Sequence, residues 1–204
     1  MSAASGAYLG TSDFAATVLG ILASSGHRPA LAVTLPDRKQ GRGRKVSPSP
    51  VATAAEELGI EVFKCGDVNL PEARERILAA GGEWASICAF GQLIKEPLLT
   101  DLPMLNVHPS LLPRWRGAAP IERSIMAGDE QTGVCVMRLV AGLDSGPVAL
   151  REATPIEPGE DFGSLSERLA RIGGDLLVKA LDGTADGSIE WTEQVDSEAT
   201  YAEK

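Results

Sequence analysis

ASICAF, residues 85–90, is apolar on both faces, the pattern of a central strand in a parallel sheet that helices cover on each side. Short apolar runs of the same kind recur around it, separated by segments with helical spacing, which is the alternation of βα units. Upstream, AYLG (Ala7 to Gly10) reads as a first strand ending in a glycine turn. Phe14, Val18, Ile21 and Leu22 then follow helical spacing, and Gly26 closes that helix. ALAVTL (Ala30 to Leu35) is a second strand. Ser49 and Pro50 open a helix that Gly59 ends, IEVFK (Ile60 to Lys64) is a short strand, and Asn69 with Pro71 starts a helix running towards Ala80. Downstream, MLNV (Met104 to Val107) is a strand, a helix runs from about Ala118 to Ala127, and TGVCVMRLV (Thr132 to Val140) is strand-like. Ser164 with Glu167 has the spacing of a capping box, and Leu165, Leu169, Ile172 and Leu176 line one face of the last long helix. The final stretch, SIEWTEQVDSEATYAEK, shows neither a helix stop nor a closing strand. The expected fold is α/β: a Rossmann-like, doubly wound, mostly parallel sheet with helices on both faces, in one domain over 1–204.

The totals fit that fold. A chain of 204 residues with 44% hydrophobic and 23% charged residues falls in the ordinary globular range and can bury one sizeable core. No apolar run reaches membrane-spanning length, and the N-terminus lacks the pattern of a secretory signal. Cys65, Cys88 and Cys135 are odd in number and lack metal-ligand spacing, so buried free thiols in the cytoplasm are expected, with no metal. A net charge of −9 argues against a general nucleic-acid binder, because neutralising phosphates takes Lys and Arg. Yet DRKQGRGRK (Asp37 to Lys45) concentrates Arg38, Lys39, Arg42, Arg44 and Lys45 in one glycine-containing loop on an acidic body.

Chemistry concentrates in NVHPSLLPRWRGAAP, residues 106–120. Asn106 and His108 stand two apart on a strand that Pro109 stops, so both side chains point the same way at its end. An amide and an imidazole aimed together suit a reacting carbonyl; the same pair also fits a satisfied core histidine beside a capping asparagine. Arg114 and Arg116 flank Trp115, and only one of the two can face a site beside His108. In AGLDSGP, Asp144 lies in a turn between Gly142 and Gly146, where it either makes a turn hydrogen bond or reaches His108 across strand ends. The turn after the first strand, GTSDF, is not the G-x-G-x-x-G of dinucleotide proteins, and the Asp13 carboxylate there would repel a phosphate.

NVHPSLLPRWRGAAPI followed by GLDSG resembles the folate-dependent formyltransferase family. With GTSDFA and TLPDRKQGRGRKVSPSPV, the resemblance is to its methionyl-tRNA formyltransferases, and it runs from about Tyr8 to Lys204. It implies a catalytic trio of Asn106, His108 and Asp144. It also implies a folate-binding segment at Ser110, Leu111, Leu112 and Pro113, and a pterin pocket lined by the backbone of Phe90, Gly91, Gln92, Leu93 and Ile94. The basic loop, with Arg42 foremost among Arg38, Lys39, Arg42, Arg44 and Lys45, matches the family's approach to the tRNA acceptor end. Ser12 stands where the family usually has proline, and Pro147 where it often has aspartate. The family continues past YAEK into a β-barrel domain that helps hold tRNA, so the resemblance implies the catalytic domain alone, as a fragment or a shortened homologue.

The implied reaction moves the formyl group of 10-formyltetrahydrofolate to the α-amino group of methionyl-tRNA, by a monomer with no membrane partner. Asn106 is expected to donate to the oxyanion, His108 to relay a proton, and Asp144 to orient the imidazole and position a water. Sugar-nucleotide or glycinamide-ribonucleotide formyl transfer, 10-formyltetrahydrofolate hydrolysis, and a silent tRNA- or folate-binding module are the rival readings. GTSDF counts against the glycinamide-ribonucleotide reading, because that substrate calls for a glycine- and serine/asparagine-rich phosphate turn.

Overall fold

Tyr8 is fully buried, and its hydroxyl donates to Ala15 O at 2.6 Å, tying the first strand to the helix that follows it. That strand, β1 (Ala7–Gly10), is buried at all four positions, as are β2 (Leu31–Thr34) and β6 (Ala85–Cys88). The computed structural model describes residues 6–40 and 45–204 and divides into two compact units, Met1–Met104 and Leu105–Lys204.

The first unit has α1 (Asp13–Ala23) after β1, then β2, β3 (Arg38–Gln40), β4 (Lys45–Ser47), α2 (Pro50–Leu58), β5 (Glu61–Lys64), α3 (Pro71–Ala79), β6 and α4 (Leu98–Asp101). Its main strands lie in the order β6-β1-β2-β5, every pair parallel, with Tyr8 opposite both Ala32 and Ser86. Continuous burial on both faces is why ASIC and LAVT read as unbroken apolar runs. Gly10 is required by close approach: a Cβ there would sit 2.9 Å from Ala15 Cβ and 3.1 Å from Cys88 O. Serine side chains cap two helices, of which only α2 was expected to start this way. Ser12 Oγ accepts from Ala15 N, Ser49 Oγ accepts from Ala52 N at 3.0 Å, and Gly59 closes α2 at φ 68°.

Three local expectations in this unit change. The first helix ends at Ala23 with Ser24 as its cap, short of Gly26. Asn69 does not cap α3, whose N-cap is Leu70 without a side-chain bond; the Asn69 amide donates to Leu93 O and accepts from Lys95 N. The cationic segment is not simply a loop, because β3 and β4 pair antiparallel, Arg38 opposite Ser47 and Gln40 opposite Lys45. Residues 41–44, including Arg42 and Arg44, lie outside the described residues.

β7 (Met104–His108) opens the second unit. It is followed by β8 (Arg116–Gly117), α5 (Pro120–Met126), β9 (Gln131–Arg138), β10 (Val148–Pro155), α6 (Phe162–Asp186), a 3-10 turn (Asp196–Glu198) and β11 (Tyr201–Ala202). Here the pairing is antiparallel: β7 with β9, His108 opposite Cys135, and β9 with β10. The strand β10 was not anticipated, since its middle residues, Arg151 to Ala153, are exposed and carry no apolar alternation. Leu165, Leu169, Leu176 and Leu177 are buried along α6, each such side chain contributing about 1.5–3 kcal/mol when removed from water. The capping box falls one turn late: Asp161 is the N-cap and accepts from Ser164 N at 2.9 Å, while Glu167 pairs with Arg171. The tail does carry a closing strand, β11, which pairs parallel with β8, Tyr201 opposite Arg116.

Candidate active site

β7 ends at His108, and its pleat turns Asn106 and His108 to the same side, where both meet Asp144. His108 Nδ1 lies 3.6 Å from Asp144 Oδ2, and Asn106 Nδ2 lies 3.5 Å from Asp144 Oδ1. Those separations are longer than a tight hydrogen bond, a common state before substrate arrives. Asp144 is held more firmly by the backbone: Gly117 N donates to its Oδ2 at 2.9 Å. The His108 side chain is 5% exposed, so water reaches little of it.

His108 Nε2 lies 2.9 Å from the carbonyl oxygen of Trp115. A carbonyl only accepts, so Nε2 carries the proton in that bond. The nitrogen left to take or release a proton is Nδ1, on the Asp144 side.

Among the described residues, two of the three non-glycine residues with positive φ sit here, Trp115 at φ 63° and Asp144 at φ 43°. Left-handed backbone at a non-glycine residue costs on the order of 1–3 kcal/mol, less for aspartate, and persists only where neighbours over-determine it. Trp115 is fixed by Thr200 Oγ1, which accepts its N–H at 2.9 Å, and by its indole Nε1, which donates to Asp129 at 2.8 Å. Gly117, at φ 117°, passes so close to the tail that a Cβ would meet Ala202 O at 3.0 Å.

The flanking arginines separate, one exposed and one buried, but each is engaged by residues outside the trio, where one of them was expected to face it. Arg114 is 45% exposed in its side chain, pairs with Asp129 and stacks on the Trp115 ring. Its guanidinium, with the Trp115 indole adding, holds the Asp129 carboxyl below the ordinary carboxylate range. Arg116 is buried, bonded to Gln194 and Asp196.

A formyl transferase family model matches residues 7–181 of this sequence. The chain belongs to the formyl transferase family. It is 48% identical over 200 residues to a methionyl-tRNA formyltransferase of Halorhodospira halophila, covering 97% of this chain and 64% of that protein. It is 43% identical to the one from Methylococcus capsulatus, covering 97% and 65%. The chain thus spans about two thirds of the length of these relatives. In fold it is similar to glycinamide ribonucleotide transformylase 1 from Symbiobacterium toebii, with a TM-score of 0.74 and 21% identity over 92% of this chain and 93% of that one. It is also similar to an N-formyltransferase of Helicobacter canadensis bound to folinic acid and dTDP-3-aminofucose, with a TM-score of 0.71 and 19% identity over 96% and 69%. The mostly parallel sheet expected from ASICAF and its neighbours is present, and the fold is the formyltransferase fold that the resemblance implies.

The segments that the family resemblance marks for folate are well anchored. Ser110 Oγ donates to Arg114 O at 2.6 Å, and Leu112 packs with Cys135, Met137 and Val148, leaving Leu111 and Pro113 partly exposed beside it. In the first unit, Phe90 O accepts from Thr11 Oγ1, Gln92 bridges Val68 N and Cys65 O, Gly91 adopts φ 84°, and Ile94 is buried while Leu93 is exposed. Of the cationic group, Arg38 is exposed on β3 and Lys39 and Lys45 lie on β3 and β4. Among the described residues no cluster of three His, Cys, Asp or Glu side chains is arranged to hold a metal, and no helix is long and apolar enough to cross a membrane.

Four participants escaped the sequence reading: the Trp115 carbonyl, the Gly117 N–H, Gln194 and Thr200. The first two are backbone atoms, which residue identity does not advertise, although Gly117 marks a tight path. Gln194 and Thr200 join the site across 50 and 85 positions, where no local pattern points.

Proposed function

We propose that this chain transfers the formyl group of 10-formyltetrahydrofolate to the α-amino group of methionyl-tRNA, with Asn106, His108 and Asp144 as the catalytic residues. The observation that carries the reading is the convergence of an amide, an imidazole and a carboxylate at the end of β7. Formyl transfer is acyl transfer: the amine attacks the formyl carbon, negative charge develops on its oxygen, and the folate nitrogen leaves with a proton. Asn106 Nδ2 donates to the developing oxyanion, a contribution of about 3 kcal/mol by the measure of other oxyanion amides. His108, protonated, shares that charge and hands a proton to the leaving nitrogen through Nδ1, the nitrogen not engaged by Trp115 O. Asp144 orients the imidazole and positions a water that shuttles the amine proton back to the imidazole, replacing the one given to the leaving nitrogen.

Ser110 to Pro113 and Phe90 to Ile94 are the segments proposed to hold the folate, and the β3–β4 ribbon with its basic residues the one that meets tRNA. Identity of 43–48% to methionyl-tRNA formyltransferases across nearly the whole chain supports that acceptor over an amino sugar. The protein would act as a monomer in the cytoplasm, where its three buried free thiols stay reduced.

The test is a transfer assay with 10-formyltetrahydrofolate offered methionyl-tRNA, a dTDP-linked amino sugar, or no acceptor. Formylated methionyl-tRNA alone supports the proposal. Formylated sugar, or formate released without acceptor, overturns it. Arg42→Ala is expected to weaken use of tRNA while leaving the KM for the folate unchanged; an equal loss in both would remove the loop from the acceptor site.

A further inference from the structure

The tail of the chain reaches both groups that sit on the His108 imidazole. Gln194 Nε2 donates to Asp144 O at 2.9 Å and to Gly146 O at 2.7 Å, using both of its hydrogens, while Gln194 Oε1 accepts from Arg116 Nε at 3.0 Å. Arg116, 3% exposed, is completed by Asp196 Oδ1 at 2.8 Å. Further along, Thr200 Oγ1 accepts the Trp115 N–H, Thr200 O accepts the Arg116 N–H at 2.9 Å, and Thr200 N donates to Pro113 O at 3.2 Å. One strap therefore holds the two left-handed residues, Asp144 and Trp115, whose carboxylate and carbonyl flank Nδ1 and Nε2.

We propose that Gln194 and Thr200 are positioning residues for His108, fixing the Asp144 turn on one side of the imidazole and the Trp115 carbonyl on the other. The inference rests on the trio being catalytic. Neither side chain touches the reacting atoms; each holds the backbone of a residue that flanks the imidazole, Asp144 through its carboxylate and Trp115 through its carbonyl. Loosening either one leaves the proposed folate segments in place and lets the imidazole tilt, so turnover falls while donor binding does not. A displacement of about 1 Å at a catalytic group can cost roughly 100-fold in rate even when its cause is distant.

The variants follow from donor and acceptor roles. Gln194→Glu keeps the size and an oxygen for Arg116, but a carboxylate cannot donate to the Asp144 and Gly146 carbonyls. Thr200→Val keeps the shape and loses the acceptor for Trp115 N–H; Thr200→Ser restores it. In formyl transfer to methionyl-tRNA, kcat is expected to fall about 10- to 100-fold in Gln194→Glu and about 10-fold in Thr200→Val. The KM for 10-formyltetrahydrofolate should stay within about twofold, and Thr200→Ser should return kcat to within about threefold of wild type. Wild-type kcat in both Gln194→Glu and Thr200→Val overturns the proposal. So does a lowered Tm with unchanged kcat per folded molecule, the signature of a merely structural strap. If Gln194→Glu does not fold, the Thr200 pair decides by the same outcomes. His108→Ala separates the two levels: activity there removes the trio itself, whereas its loss alongside normal strap variants removes only the positioning role.

Discussion

The carboxyl ends of β1 and β7 both present small polar side chains, and the two turns use them differently. After β1, Ser12 caps α1 and Thr11 donates to Phe90 O at 2.8 Å, so backbone atoms consume both hydroxyls. At the end of β7, Asn106 and His108 approach another side chain, Asp144, at 3.5–3.6 Å. Backbone atoms there act on the partners: Gly117 N grips the carboxylate and Trp115 O engages one imidazole nitrogen. Polar residues at a strand end do not by themselves mark a site. What distinguishes the second turn is that its polar heads face each other while backbone, some of it left-handed, holds them from behind.

Removing the groups at the end of β7 should hurt chemistry, and removing those after β1 should hurt only stability. The largest effect is expected for His108→Ala, a loss of about 1,000-fold or more in transfer rate with the fold retained by circular dichroism. Asn106→Ala should lose roughly 100-fold or more in kcat, seen in steady-state assays. Ser12→Ala should leave kcat alone and cost about 1 kcal/mol of stability, a drop of roughly 2–4 °C in Tm. A fall in kcat there would erase the contrast between the turns.

Smaller effects sharpen it further. The Asp129 carboxyl is held low by Arg114 and Trp115, so its stabilisation is present above the unfolded carboxylate pKa of about 3.9 and disappears as pH falls through the lower folded value. Asp129→Asn should therefore be destabilised by less than about 1 kcal/mol at neutral pH, with the gap to wild type closing in acid melts. Burial pushes the Cys88 thiol up to about 12 and the Cys135 thiol up to about 11. Iodoacetamide at pH 8 should leave both unmodified in the native protein by mass spectrometry, with transfer undiminished.

Local chemistry was legible where it is written in local pattern. AYLG, ALAVTL and ASICAF declared buried strands because no exposed face interrupts them, and Ser49 with Pro50 and Gly59 framed α2 from both ends. The two-residue spacing of Asn106 and His108 placed both on one side of a strand. β10 was not legible because its exposed middle has no apolar alternation, and the true start of α6 was hidden because Asp161 outcompetes Ser164 as the cap. The strap was illegible for a different reason. Gln194 acts on backbone carbonyls and Thr200 on a backbone N–H, so neither side chain's target has a letter in the sequence.

The most direct test of the central claim is a single-turnover measurement of formyl transfer to methionyl-tRNA by wild type and by Asp144→Asn. That substitution removes the carboxylate charge facing His108 Nδ1 while preserving its size. The account predicts a folded variant whose transfer rate falls about 100-fold or more, by the scale of other catalytic carboxylates that orient an imidazole. A folded Asp144→Asn protein transferring formyl at the wild-type rate would contradict it.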